Sequence, residues 1–122
     1  TSSRVVSSDV YKRQNQLLTG LEEIESLNSV IIAYEPVWAI GTGIAATPED
    51  AEDMMAHIRS TLNVKYGDAT SQEVPLLYGG SVTASNIDDY AKLPNINGAL
   101  VGGASLNAEA FVSIASHLGT MP

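Results

Sequence analysis

Three glycine-rich segments constrain this chain most strongly, because each follows a short apolar run and precedes a helical pattern. The apolar runs are residues 30–34, 74–78 and 98–101, and the glycine pairs after them are Gly41 and Gly43, Gly79 and Gly80, and Gly102 and Gly103. Alternating strands and helices predict a parallel α/β sheet with right-handed crossovers. The carboxyl ends of such strands share one edge, where ligands bind. We therefore expect all three glycine-rich segments at one edge of a three-stranded sheet.

Two longer helical patterns are expected in the first half of the chain. Apolar residues at helical spacing predict a first helix over residues 15–27. Thr47 as N-cap and Pro48 at the first helical position predict the start of a second helix. The expected buried face of that second helix consists of Ala51, Met54, Met55, Ile58 and Leu62.

Two further helices are expected towards the carboxyl end. One covers residues 86–92, with Ser85 as its N-cap and with Ile87 and Tyr90 facing inward. The other covers residues 108–118. The expected inner face of this last helix consists of Phe111, Val112, Ala115 and Leu118.

Composition and charge narrow the class of protein. The 122 residues, 44% of them hydrophobic, suffice for one packed domain. The net charge of −8 argues against a nucleic-acid surface, which requires clustered Lys and Arg. No apolar run approaches the roughly 20 residues that span a bilayer, and cysteine is absent, which excludes a disulfide framework. These features fit a cytoplasmic protein that binds a small molecule rather than nucleic acid or a membrane.

The first fourteen residues differ from the rest of the chain. Residues 1–14 are polar and serine-rich, and they show no sustained period. We interpret them as a foreign or disordered leader and assign the folded part to residues 15–122; a frayed native terminus is the alternative.

Glu35 is the candidate catalytic residue. It stands at the end of the first predicted strand, where a carboxylate can take up and return a proton. An ordinary solvated glutamate at a strand end is the alternative. Residues 36–46 join a stiff entry, Pro36–Trp38, to a tip of small residues. This pattern predicts a lid that closes and expels water, with a passive connector as the alternative.

The glycine-rich segments supply the candidate ligands for an anion. Few basic residues are present beyond residue 14, so a small anion must be bound by backbone N–H groups. Gly41 allows close approach of its amide, Ser81 adds a hydroxyl, and Gly102 and Gly103 offer adjacent amides. The order of these groups along the chain predicts a phosphate site at the same edge as Glu35.

Three segments carry a resemblance to a known family. AYEPVWAIGTG at 33–43 resembles the signature of the triosephosphate isomerase family, and LYGGS at 77–81 and GALVGGASL at 98–106 resemble its next two ligand loops. The resemblance has a bacterial form and covers about residues 15–120. It implies the C-terminal part of a (β/α)8 TIM barrel, with about three βα units preceded by one helix.

The resemblance also implies an activity. Enzymes of this family interconvert dihydroxyacetone phosphate and glyceraldehyde 3-phosphate, in glycolysis and gluconeogenesis. Glu35 matches the family's general base, which transfers a proton between adjacent carbons through an enediolate. Gly41, Ser81, Gly102 and Gly103 match its phosphate-binding positions, and residues 36–46 match its closing lid. No metal and no organic cofactor is implied. The parent enzyme is expected to be a homodimer, whereas the oligomeric state of this chain stays open.

The sequence departs from the family in one respect. The family's electrophilic histidine and substrate-binding lysine lie in segments without a counterpart here, and His57 and His117 fall within predicted helices and are interpreted as surface residues. We therefore expect an enzyme fragment with marginal stability, a tendency to associate and negligible activity alone. A non-catalytic phosphate-binding half-barrel module is the alternative, and another phosphate-binding barrel enzyme is a third.

Overall fold

A computed structural model of the chain describes residues 12, 14–36 and 47–119. The described elements are α1 (residues 14–20), β1 (Ile32–Tyr34), α2 (Pro48–Tyr66), α3 (Asp68–Glu73), β2 (Leu76–Tyr78), α4 (Ile87–Ala91), β3 (Gly98–Ala99) and α5 (Ala108–Leu118), with a 3-10 turn at Gly103–Leu106. The described residues form two compact units: residues 12, 14–30 and 56–74 form one, and residues 31–36, 47–55 and 75–119 form the other. The sheet belongs to the second unit. No helix in the described ranges is long and apolar enough to cross a membrane.

The sheet is parallel, as the alternating pattern predicts. The strand order is β1-β2-β3, with Tyr34 beside Tyr78 and Tyr78 beside Ala99. Each strand is shorter than the apolar run that predicts it. At β1 the reason is local, because the Val30 amide donates to the Leu27 carbonyl at 3.1 Å in a turn and is not available to the sheet.

Among the described residues, the two faces of the sheet differ in burial. Tyr34, Leu76 and Tyr78 are buried on one face. On the other face Ile31 is 63% exposed and Leu100 is 47% exposed. A continuous apolar run such as residues 30–34 predicts a strand buried on both faces, and this prediction is wrong for the described residues, because Ile31 and Ala33 are exposed.

Helix α2 begins where its capping residues predict. The Asp50 amide donates to the Thr47 hydroxyl at 3.1 Å, and the Ala51 amide donates to the Thr47 carbonyl at 2.9 Å. A side-chain oxygen at the N-cap satisfies one of the amides that the first helical turn leaves unpaired. All five residues of the predicted apolar face are buried, namely Ala51, Met54, Met55, Ile58 and Leu62.

In the first unit, α1 ends earlier than the predicted residue 27. After residue 20 the chain turns, with the Ile24 amide bonded to the Leu21 carbonyl at 3.0 Å. The Lys65 ammonium donates to the Leu21 carbonyl at 2.9 Å, and the Tyr66 hydroxyl donates to the Ile24 carbonyl at 2.6 Å. The last turn of α2 thus adds a second donor to the Leu21 carbonyl and supplies a donor to the Ile24 carbonyl after the end of α1.

The helices of the carboxyl end differ in detail from the prediction. Asn86, and not Ser85, occupies the N-cap position of α4, while Ile87 and Tyr90 are buried as expected. Helix α5 has the predicted bounds, and the Ala110 amide donates to the Asn107 side chain at 2.9 Å at its start.

The predicted inner face of α5 is wrong. Phe111 is 45% exposed and Val112 is 61% exposed, whereas Ile114 is fully buried. Apolar residues lie on several sides of this helix, so their spacing does not select one stripe. Contact with α4 decides the orientation, and it brings His117 to 3.5 Å from Asp88.

Candidate functional site

The register of the sheet aligns the ends of the three strands. Beyond β1 and β2, the Gly79 amide donates to the Tyr34 carbonyl at 2.7 Å. Beyond β2 and β3, the Leu100 amide donates to the Tyr78 carbonyl at 2.9 Å. Glu35, Gly79 and Leu100 therefore lie side by side at the carboxyl edge. The segments that follow them leave the sheet from that one edge.

Glu35 lies next to the first residue of the turn that follows β2. A Cβ added at Gly79 would lie 3.3 Å from the Glu35 Cβ and 3.3 Å from the Tyr34 carbonyl oxygen. Glycine at residue 79 thus allows the two chains to approach closely. Side chains alternate along a strand, so Glu35 projects on the open face of the sheet and buried Tyr34 on the covered face.

The turn at residues 79–81, which we call the GGS turn, is shaped by a tyrosine pair. A Cβ at Gly80 would collide with the hydroxyl and ring of Tyr78, which is completely buried. Tyr78 stacks on Tyr90 with ring centroids 4.5 Å apart and ring planes 15° apart. Burial, with a contribution from a hydrogen bond to Tyr78, raises the pKa of the Tyr90 hydroxyl well above its ordinary value.

Two amides of the GGS turn are not used by the described part of the fold. The Gly80 and Ser81 amides donate to none of the other described residues. The Ser81 carbonyl, by contrast, accepts from the Asn86 side chain at 2.8 Å. The turn thus has one fixed carbonyl and two amides that can bind phosphate oxygens.

The third predicted segment follows β3. Gly102 precedes the 3-10 turn, and its carbonyl accepts from the Ser105 amide at 2.9 Å and from the Ser105 hydroxyl at 2.6 Å. Within the part of the chain that the structure describes, the Gly102 and Gly103 amides also donate to no other residue. The predicted ligand Gly41 and residues 37–46 of the predicted lid lie outside the described residues.

The two histidines lie on helices and not at strand ends. Beyond its contact with Asp88, His117 has its Nδ1 2.6 Å from the Ser113 carbonyl oxygen. His57 is half-buried, and its Nε2 is buried without a hydrogen-bond partner among the described residues. The interpretation of both as simple surface residues is therefore too coarse. Among the described residues no group of three or more side chains is placed to hold a metal ion.

The sequence predicts that Tyr90 faces inward, but it predicts neither the stacking of Tyr90 on Tyr78 nor the bonds of Asn86 to the GGS turn. A signal for Asn86 exists in the sequence, because an asparagine shortly before a helix often bonds to nearby backbone groups. The tyrosine pair leaves no comparable signal. The two rings lie on different elements, and only the packing of α4 against β2 brings them together.

A parallel sheet of three strands that alternate with helices has the architecture of part of an α/β barrel. The family model described as triosephosphate isomerase matches residues 4–118, and the chain belongs to the triosephosphate isomerase family.

Named relatives agree with this assignment. The chain is 52% identical over 101 residues to a triosephosphate isomerase of Thermus thermophilus, which covers 81% of this chain and 40% of that protein. It is 50% identical over 104 residues to the triosephosphate isomerase of Chlorobium phaeobacteroides, and the match covers 85% of this chain and 42% of that protein. It is 52% identical over 106 residues to the triosephosphate isomerase of Saccharomyces cerevisiae, and the match covers 87% of this chain and 42% of that protein. The chain thus spans about two fifths of the length of these relatives.

Proposed function

We propose that this chain supplies the general base and the phosphate-binding turns of a triosephosphate isomerase. One observation carries the proposal: the sheet register places Glu35 beside Gly79, the first residue of the GGS turn. A carboxylate and backbone amides at one sheet edge match a small substrate with an acidic C–H group and a phosphate. Family membership supports the same activity.

The proposed chemistry is a proton transfer between adjacent carbons of a triose phosphate. The Glu35 carboxylate takes the proton from the carbon next to the carbonyl, and the C–H electron pair becomes the double bond of an enediolate. The carbonyl π pair moves onto the carbonyl oxygen, and this oxygen takes the proton of the adjacent hydroxyl group. The protonated Glu35 then returns its proton to the former carbonyl carbon while the adjacent oxygen forms the new carbonyl, which converts ketose to aldose. The phosphate is held by the amides of Gly41, Ser81, Gly102 and Gly103, which suits a chain of net charge −8.

The proposal is tested by joining this chain to the part of the barrel that it does not contain. Residues 15–122 are joined to the part of the Thermus thermophilus relative that precedes the matching segment, and conversion of glyceraldehyde 3-phosphate is measured. We expect activity in the joined protein and negligible activity in the chain alone. Glu35→Gln should lower kcat about 10²–10⁴-fold, the usual contribution of general acid–base catalysis, with little change in KM.

A matched substitution controls for charge. Glu109→Gln removes the same charge from an exposed residue in the first turn of α5 and should leave kcat unchanged. Full activity of the Glu35→Gln protein would contradict the assignment of the base. Phosphate binding without turnover in the joined protein would favour the non-catalytic phosphate-binding module.

For the whole protein we also propose a cytoplasmic location and a homodimer. The composition and the family support both, and triose phosphates are small soluble substrates. Light scattering of the joined protein during size-exclusion chromatography tests the dimer, since a monomeric mass with full activity would contradict it.

A further inference from the structure

We propose that Asn86 is a positioning residue that holds the GGS turn in its anion-binding geometry. The inference rests on the proposed function, because it deepens the phosphate site instead of adding a separate activity. Asn86 itself touches no reacting atom in this account, and it acts through the backbone of residues 81–83.

The contacts of one side chain carry the inference. The Asn86 Nδ2 donates to the Ser81 carbonyl at 2.8 Å, and the Asn86 Oδ1 accepts from the Thr83 amide at 2.8 Å. The Asn86 amide in turn donates to the Thr83 hydroxyl at 3.2 Å. The same side chain therefore holds the peptide groups on both sides of Val82, which is buried.

These bonds bear on the ligand groups of the GGS turn. A peptide group is planar, so a fixed Ser81 carbonyl also fixes the direction of the peptide that follows Ser81. The remaining freedom of the Ser81 amide and hydroxyl is reduced before any anion arrives. A turn that is ordered in advance loses less conformational entropy on binding, which favours affinity.

Helix capping accounts for only one of the two side-chain bonds. Asn86 and Thr83 each accept from the other's amide through their side chains, as in a capping box, whereas the bond from the Asn86 Nδ2 to the Ser81 carbonyl is not a capping bond. Asn86 occupies the N-cap position of α4, yet its side chain makes no capping bond to an amide of that helix. The side chain instead bonds to residues that precede it in the sequence. Buried Ile87 and Tyr90 fix α4 beneath the turn, so Asn86 projects from a well-packed element.

Two substitutions separate geometry from charge. Asn86→Asp is nearly isosteric and retains an acceptor for Thr83, but it places an oxygen against the Ser81 carbonyl. Asn86→Ala removes both bonds without adding charge. Ser85→Ala is the matched control for truncation, since among the described residues the Ser85 hydroxyl bonds to the Thr83 hydroxyl alone, at 3.0 Å, and to no group of residues 79–81. Asn63→Asp on α2 controls for the added negative charge at an exposed residue.

Amide NMR spectra of the ¹⁵N-labelled chain provide the first readout, without ligand. We expect the Gly80 and Ser81 resonances to shift or broaden in Asn86→Asp and Asn86→Ala and to stay in place in both controls. Unchanged Gly80 and Ser81 resonances in the two Asn86 variants would overturn the inference.

Titration with inorganic phosphate provides the second readout. We expect the dissociation constant to rise about tenfold in Asn86→Ala, an effect in the range of one lost hydrogen bond. A purely structural role would lower the urea midpoint and leave the phosphate affinity of the folded chain unchanged, which would also overturn the inference. If phosphate does not shift the turn amides of the wild-type chain, the proposed phosphate site is refuted. The ligand-free spectra would still decide the role of Asn86.

Discussion

At the residue scale, the GGS turn depends on contacts that lie behind it. Tyr78 fills the space in which a side chain at residue 80 would lie, and Tyr90 stacks on Tyr78 and shares a hydrogen bond with it. Both tyrosines are buried, so neither ring can move aside without disturbing the packing of α4 on the sheet. The packing of the tyrosine pair therefore requires glycine at residue 80.

Gly80→Ala should destabilise the chain through this contact. The added methyl group meets a buried ring and not a flexible surface side chain, and overpacking of this kind costs about 1–3 kcal/mol. Gly103→Ala is the control, because a Cβ there has open space around it. Urea unfolding of both variants measures the difference, and equal midpoints would show that Tyr78 does not restrict residue 80.

Tyr90 should make stability depend on pH in the alkaline range. Burial raises its pKa in the folded state above the unfolded value of 10.0, so its contribution is fully present below that pH. The contribution is lost as pH rises through the folded pKa, by up to about 1.4 kcal/mol per pH unit. Above about pH 10 the unfolding free energy of the wild-type chain should fall faster than that of Tyr90→Phe. Parallel curves for the two proteins would contradict this.

The sequence alone reveals some of these residues and not others. Glu35, Ser81 and the glycines follow strand-like runs, so the general rule that ligands bind at the carboxyl edge locates them. Helical spacing predicts that Tyr90 faces inward, but no periodicity encodes its stacking on Tyr78 or the bonds of Asn86 to backbone groups. Their roles become visible only when the chain path from β2 to α4 is known.

At the element scale, the sequence predicts α2 correctly in both its start and its buried face, whereas it misplaces the N-cap of α4 and the buried face of α5. Thr47 and Pro48 locate the start of α2, and the five apolar residues on one side of that helix are all buried. In α5 the apolar residues surround much of the helix, and tertiary contact with α4 selects the buried side. Strand bounds are predicted least well, because competing turn bonds such as that of Val30 shorten them.

The corrected orientation of α5 leads to a stability prediction. Ile114→Ala should lower the unfolding free energy by about 2–4 kcal/mol, since it removes a buried side chain and leaves a cavity. Val112→Ala, on the exposed side of the same helix, should change it by less than about 0.5 kcal/mol. Thermal unfolding of both variants tests this, and a larger loss for Val112→Ala would restore the face that apolar spacing predicts.

At the scale of the whole molecule, the open face of the sheet matters most. Ile31, Glu35 and Leu100 lie on that face, and the two apolar residues are largely exposed. The chain spans about two fifths of the length of its relatives, so we expect the remainder of the barrel to cover this face and to complete the site. The expected tendency of the isolated chain to associate has the same physical cause.

Convergence of the turns is the central claim, and a titration of the ¹⁵N-labelled chain with inorganic phosphate tests it most directly. The amides of Gly80 and Ser81, after β2, and those of Gly102 and Gly103, after β3, should all shift with a single dissociation constant, because one anion binds them together. Two different dissociation constants, or a response from only one of the two segments, would contradict the account.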